Sequence, residues 1–189
     1  MLNIMGKKKK LREVANYREE LFKNPQLRQL FLELTLRCNE KCLHCGSSCG
    51  DVKSEELSPE QYKAFLTQIK EDFGTQDKML CITGGEPLLR SDFFDIMSGA
   101  NELGFNWGMT SNATLIDDSV AKELYNCGMK TISVSIDGLE DTHDAFRRTP
   151  GGYKKAMNGI ESLIKLGKFK HVQVTAVVTH KFIGQLDEL

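Results

Sequence analysis

Phe31-Leu32-Glu33-Leu34-Thr35-Leu36-Arg37-Cys38-Asn39-Glu40-Lys41-Cys42-Leu43-His44-Cys45 is the stretch that decides how this chain is read. Its first six residues are rich in leucine and read as a strand over 31–36. Three cysteines follow at once, spaced C-x3-C-x2-C. Three thiolates on one tight loop can hold three irons of a cubane cluster, which leaves the fourth iron free for an outside ligand. A zinc knuckle built from Cys38, Cys42, Cys45 and either His44 or Cys49 is the competing reading. Zinc sites come more often as two separated pairs.

Working outward, the same grammar repeats. Ser58-Pro59-Glu60-Gln61 opens a helix: Ser58 can cap, Pro59 suits the first helical position, and Gln61 completes a capping box. Tyr62, Phe65, Leu66, Ile69 and Phe73 then lie on one helical face, and Gly74 can close the helix. Further strands are expected over 79–83, 105–110, 131–136 and 172–178. Helices are expected from a Ser91 cap to 103, from an Asp117 cap to 127, over 153–166 and from 182 onward. Successive strands begin about 25 residues apart, the period of a strand–helix unit. The reading is an α/β fold of about five strand–helix units, with apolar strands wound by right-handed crossovers into part of a (β/α) barrel. Residues 1–30 read as a leader with one or two short helices, interrupted by Pro25. Its run Lys7 to Lys10 reads as a solvated face.

Composition narrows the classes. The 189 residues are 40% hydrophobic and 27% charged, as in an ordinary globular chain rather than a disordered one. The 25 basic and 26 acidic side chains nearly cancel, which argues against a nucleic-acid partner. No apolar run reaches a membrane span, and the start is too short for a secretory signal, so a cytoplasmic chain without a membrane partner is expected. With no export signal, the cluster of Cys38, Cys42, Cys45 and Cys49 reads as metal-binding rather than as a disulfide framework. Cys81 and Cys127 read as core residues.

Polar motifs follow the next strands. Thr83-Gly84-Gly85-Glu86-Pro87 offers a backbone that a ligand can approach and a carboxylate suited to an ammonium group. Ser111-Asn112-Ala113-Thr114 follows the third strand, and Ser135-Ile136-Asp137-Gly138 ends the fourth. Ser135 and Asp137 share a strand face and can hold ribose hydroxyls, although a cap and turn would use the same residues. Sites in such folds lie at the carboxyl ends of the strands.

With these motifs in this order, the sequence resembles a radical S-adenosylmethionine (SAM) enzyme from about Phe31 to Leu189. The resemblance implies that Cys38, Cys42 and Cys45 hold a [4Fe-4S] cluster whose open iron is chelated by SAM. Gly84, Gly85 and Glu86 would bind the amino end of its methionine part. The His44 backbone would contact the adenine, Ser135 the ribose or carboxylate, and Asp137 would support that strand end. Asn112 would join the cofactor contacts. A 5′-deoxyadenosyl radical would then take a hydrogen from the substrate. His143-Asp144-Ala145-Phe146-Arg147, Gly151-Gly152-Tyr153 and Gly159-Ile160 are similar to the peptide- and protein-modifying branch, in which the residue matching Arg147 helps bind the SAM carboxylate.

That resemblance implies a peptide or protein substrate and a low-potential donor such as flavodoxin or ferredoxin. Small-molecule or cofactor biosynthesis, and a fragment that binds metal without turnover, are the alternatives. Ala113 stands where the family commonly has glycine. The expected sixth strand–helix unit and cysteine-rich auxiliary-cluster domain do not follow, so 31–189 reads as a core domain cut short.

Overall fold

The computed structural model describes residues 4–51 and 55–188. Its core is one five-stranded sheet, all parallel, in the order of the sequence: β1 (Gln29–Glu33), β2 (Met79–Thr83), β3 (Asn106–Ser111), β4 (Met129–Ser135) and β5 (His171–Thr175). Sequential order with right-handed crossovers puts every connecting helix on one face. These are α2 (Pro59–Phe73), α3 (Phe93–Glu102), α4 (Asp118–Asn126), α5 (Glu140–Arg147) and α6 (Gly152–Leu166). The expected α/β barrel sector is therefore present.

The strands alternate instead of being apolar throughout. Leu32, Leu80, Ile82, Trp107, Met109, Ile132 and Val134 are buried, on the face that packs on helix residues Leu66, Phe93, Met97, Leu124 and Leu163. The other face carries Phe31, Met79, Cys81, Thr110, Thr131, Ser133 and Gln173, which line a cavity of about 180 Å³. Cys81 thus belongs to the open face, not the core, whereas Cys127 is buried and its carbonyl accepts from Trp107 Nε1 at 2.9 Å.

The helix α2 starts as its sequence dictates. Gln61 N–H donates to Ser58 Oγ, and Ser58 N–H donates back to Gln61 Oε1. The Asp117 side chain likewise caps α4 by accepting from Val120 N–H at 2.8 Å. The cap expected at Ser91 is not used: α3 begins after Asp92, whose carboxylate is taken by Arg90. Where one or two short helices interrupted by Pro25 were expected, a single helix forms, α1 (Ile4–Lys23), which stops short of Pro25. Its Leu11, Val14, Tyr17 and Phe22 stay exposed. Helix α5 was not expected, and the helix expected from 182 is one 3-10 turn, Ile183–Gln185. No described helix is long and apolar enough to cross a membrane.

Candidate active site

The carboxyl ends of the strands are joined by backbone contacts before any side chain acts. Leu34 N–H donates to Thr83 O, Gly85 N–H to Thr35 O and Glu86 N–H to Arg37 O, at 2.8–3.0 Å. This zipper explains the paired glycines. A Cβ on Gly84 would stand 2.6 Å from Thr35 O, and one on Gly85 would stand 2.2 Å from Arg37 O and 2.8 Å from Cys38 Cβ. Both positions admit the cysteine-bearing segment itself, so their first task is to seat Cys38.

Arg90 locks the same corner. It is 4% exposed. Its Nη1 donates to Leu34 O, its Nη2 to Leu57 O and Asp92, and its Nε to Asp92, at 2.7–2.8 Å. These bonds hold the Asp92 carboxyl below the usual carboxylate range.

In front of this scaffold lies a cavity of about 280 Å³. It gathers Cys38, Cys42, Cys45, His44, Gly84, Gly85, Asn112, Ser135 and Arg147 around one space, together with Glu40 and Cys49. The expected site residues Glu86 and Asp137 are not in its lining. Glu86 is fully buried and accepts from Ser111 Oγ at 3.0 Å, Asn112 N–H at 2.9 Å and Leu88 N–H at 3.3 Å. Burial pushes its carboxyl up to about 7, against those bonds. The carboxylate suited to an ammonium group is thus spent inside the fold, and so is the Glu86 backbone, whose N–H donates to Arg37 O and whose carbonyl accepts from Leu89 N–H at 3.1 Å.

Asp137 is equally internal. Its Oδ1 accepts from Val177 N–H at 2.7 Å and its Oδ2 from Arg147 Nε at 2.8 Å. The side chain of Asn112 donates to Asn39 Oδ1 at 2.7 Å and accepts from Thr114, tying the end of β3 to the cysteine loop. Ser135 brings a hydroxyl to the cavity wall, and no hydrogen bond of its side chain occurs among the described residues.

The cysteine loop is also fastened to α5. Lys41 N–H donates to Arg147 O and Leu43 N–H to Phe146 O. The His44 ring stacks on Phe146 with centroids 4.6 Å apart, and its Nε2 lies 3.9 Å from Asp137 Oδ2. Arg147 and Glu40 are both buried, with Nη1 donating to Glu40 Oε2 at 2.7 Å. Burial works against the arginine's charge, yet Glu40 and Asp137 hold its pKa above the usual range. The spacing within Cys38 to Cys45 hides Glu40 from a sequence reading, and Arg90 sits in no motif. Both act through contacts distant in sequence.

The thiols suit a shared guest. Three half-buried thiols around one cavity fit a body larger than an ion. Two of them already accept backbone N–H groups, Cys38 from Glu40 at 3.5 Å and Cys45 from Cys49 at 3.2 Å. Such bonds are what an iron–sulfur site uses to tune its sulfurs. Burial pushes the Cys42 thiol up to about 12, with the Arg147 charge opposing the shift.

Comparison with known proteins agrees with this geometry. Residues 32–188 match the family model for the Radical SAM superfamily. The chain is 37% identical over 139 residues to an Fe-coproporphyrin III synthase of Methanosarcina barkeri, covering 71% of this chain and 34% of that protein. It is 32% identical over 157 residues to the mycofactocin maturase MftC of Mycolicibacterium smegmatis, covering 82% and 39%. It therefore spans little more than a third of these curated relatives. Among solved structures, Streptococcus suis SuiB bound to S-adenosylmethionine shares the fold, with a TM-score of 0.72 at 20% identity over 94% of this chain and 41% of that one.

Proposed function

The chain belongs to the radical SAM superfamily, and from that premise we propose that it carries the core of an enzyme that cleaves SAM reductively. A [4Fe-4S] cluster would supply the electron, and the 5′-deoxyadenosyl radical so released would abstract a substrate hydrogen. The observation that carries this reading is the single cavity uniting three thiols with the ends of β2, β3 and β4 and with Arg147.

The residues divide the work. Cys38, Cys42 and Cys45 would hold the cluster. The backbone of Gly84 and Gly85 would face the amino end of the methionine part, with Glu86 buried behind them. Arg147 Nη2, which has no hydrogen-bond partner among the described residues, would pair with its carboxylate. Ser135 offers its hydroxyl to the ribose, and the His44 backbone faces the adenine. Asp137 and Asn112 act one layer back, by holding Arg147 and the cysteine loop. We place this site in a core over 31–189 with 1–30 as a leader. A low-potential flavodoxin or ferredoxin is the natural donor, and a reducing cytoplasm the natural setting.

For the substrate we propose a peptide or protein. The segment from His143 to Tyr153 and the likeness to mycofactocin maturase support it. A tetrapyrrole is the second reading, favoured by the likeness to Fe-coproporphyrin III synthase. The test is anaerobic incubation of reconstituted protein with dithionite and SAM, with 5′-deoxyadenosine and methionine measured by chromatography. Their formation, lost in Cys42→Ala, is expected. Stimulation by a peptide supports the first substrate class and stimulation by an iron tetrapyrrole the second. No 5′-deoxyadenosine from an intact cluster would contradict the reading.

A further inference from the structure

Glu40 lies between the first two cluster cysteines, and the Cys42 thiol donates to its Oε2 at 3.6 Å. Oε2 accepts from Arg147 Nη1 at 2.7 Å. Oε1 is buried and has no hydrogen-bond partner among the described residues. Glu40 is 2% exposed and still contributes to the cavity lining. A carboxylate in that position is not a surface charge that has drifted inward. Its removal from water is expensive unless a cation meets it, and the cation here is Arg147.

The guanidinium is held at two points, from strands separated by two others in the sheet. Asp137, after β4, takes Nε, and Glu40, after β1, takes Nη1. Two fixed bonds stop the planar group from turning, so the third nitrogen has one orientation. We infer that Glu40 is a positioning residue: it aims Arg147 Nη2 at the carboxylate of SAM and couples that aim to the placement of the cysteine loop. This rests on the proposed role of Arg147. Without Glu40, Nη1 has no acceptor and the guanidinium is free to rotate towards Asp137, away from the ligand.

The test is SAM binding to reconstituted protein, measured by anaerobic equilibrium dialysis with labelled SAM and with iron content as a control. Glu40→Leu keeps the volume and removes the acceptor. Glu40→Gln keeps an acceptor for Nη1. The leucine variant should bind SAM about tenfold more weakly at unchanged iron content, and glutamine should restore most of the affinity. In an Arg147→Met background the Glu40→Leu change should add nothing, because its effect runs through Arg147. Equal or tighter binding by Glu40→Leu would overturn the inference, as would an additive loss in the Arg147→Met background. Failure of the leucine variant to take up iron would overturn it too, by making Glu40 part of loop folding. If the unsubstituted protein holds iron but binds no SAM, the proposed function itself fails.

Discussion

Two buried arginines stand at the same rim of the sheet and are used in opposite ways. Arg90 has every nitrogen occupied: Leu34 O, Leu57 O and both oxygens of Asp92 take its donors. The Tyr62 ring lies under it, 5.6 Å away. Arg147 has Nε and Nη1 occupied by Asp137 and Glu40 and keeps Nη2 beside the cavity. A saturated guanidinium is scaffold, because any ligand would have to break a bond to reach it. One with a spare nitrogen, clamped elsewhere, is ready for an anion. Burial alone does not separate the two roles; the count of unused donors does.

Replacing each arginine by lysine is the sharpest way to break this contrast. Arg90→Lys should give the largest effect, roughly 3 kcal/mol of lost stability, since one ammonium cannot reach Asp92 and two carbonyls together. A guanidinium chloride unfolding curve reads it, and an unchanged midpoint would remove Arg90 from the scaffold.

The Arg147 side has a pH signature through His143. This ring is fully buried, its Nδ1 accepts from Asp137 N–H at 3.1 Å, and its Nε2 has no hydrogen-bond partner among the described residues. Burial, and after it the charge of Arg147, depress its pKa to about 4. A base depressed in the folded state stabilises the fold above its unfolded pKa, near 6.5. That contribution is lost as pH falls from about 6.5 through 4. The protein with His143 should therefore lose about 3 kcal/mol relative to His143→Phe across that window. Parallel stability curves for the two proteins would contradict this.

Arg147→Lys should weaken SAM binding about tenfold while moving the unfolding midpoint less than Arg90→Lys does. The reverse order of effects would exchange the two roles. The smallest effect is expected at Ala113, a buried alanine with φ of +58°. Glycine relieves about 1 kcal/mol of left-handed strain but gives up about 0.8 kcal/mol of methyl burial. Ala113→Gly should therefore stay within about 0.5 kcal/mol of the parent in the same unfolding assay. A larger loss would show that the methyl packing on Gly159 matters more than the strain.

The legible parts of this fold are those written in local chemistry. Ser58 with Gln61, Asp117, and the apolar faces of α2 and β2 each declare their element within a few residues. Helix α5 was not legible, because the residues it buries are His143 and Arg147 rather than an apolar stripe. The cysteines and Gly84-Gly85 announced the site, but not that the glycines make room for the cysteine segment. The Glu86 carboxylate was expected to face a ligand and instead anchors Ser111 and Asn112. Glu40 and Arg90 carry no spacing signal, since their partners lie 107 and 56 residues away in the chain.

The most direct test of the central claim is electron paramagnetic resonance of the reduced, anaerobically reconstituted protein, with and without SAM. The expected result is a [4Fe-4S] signal that changes when SAM is added and is absent in Cys42→Ala. A cluster signal indifferent to SAM, or one that persists in Cys42→Ala, would contradict it.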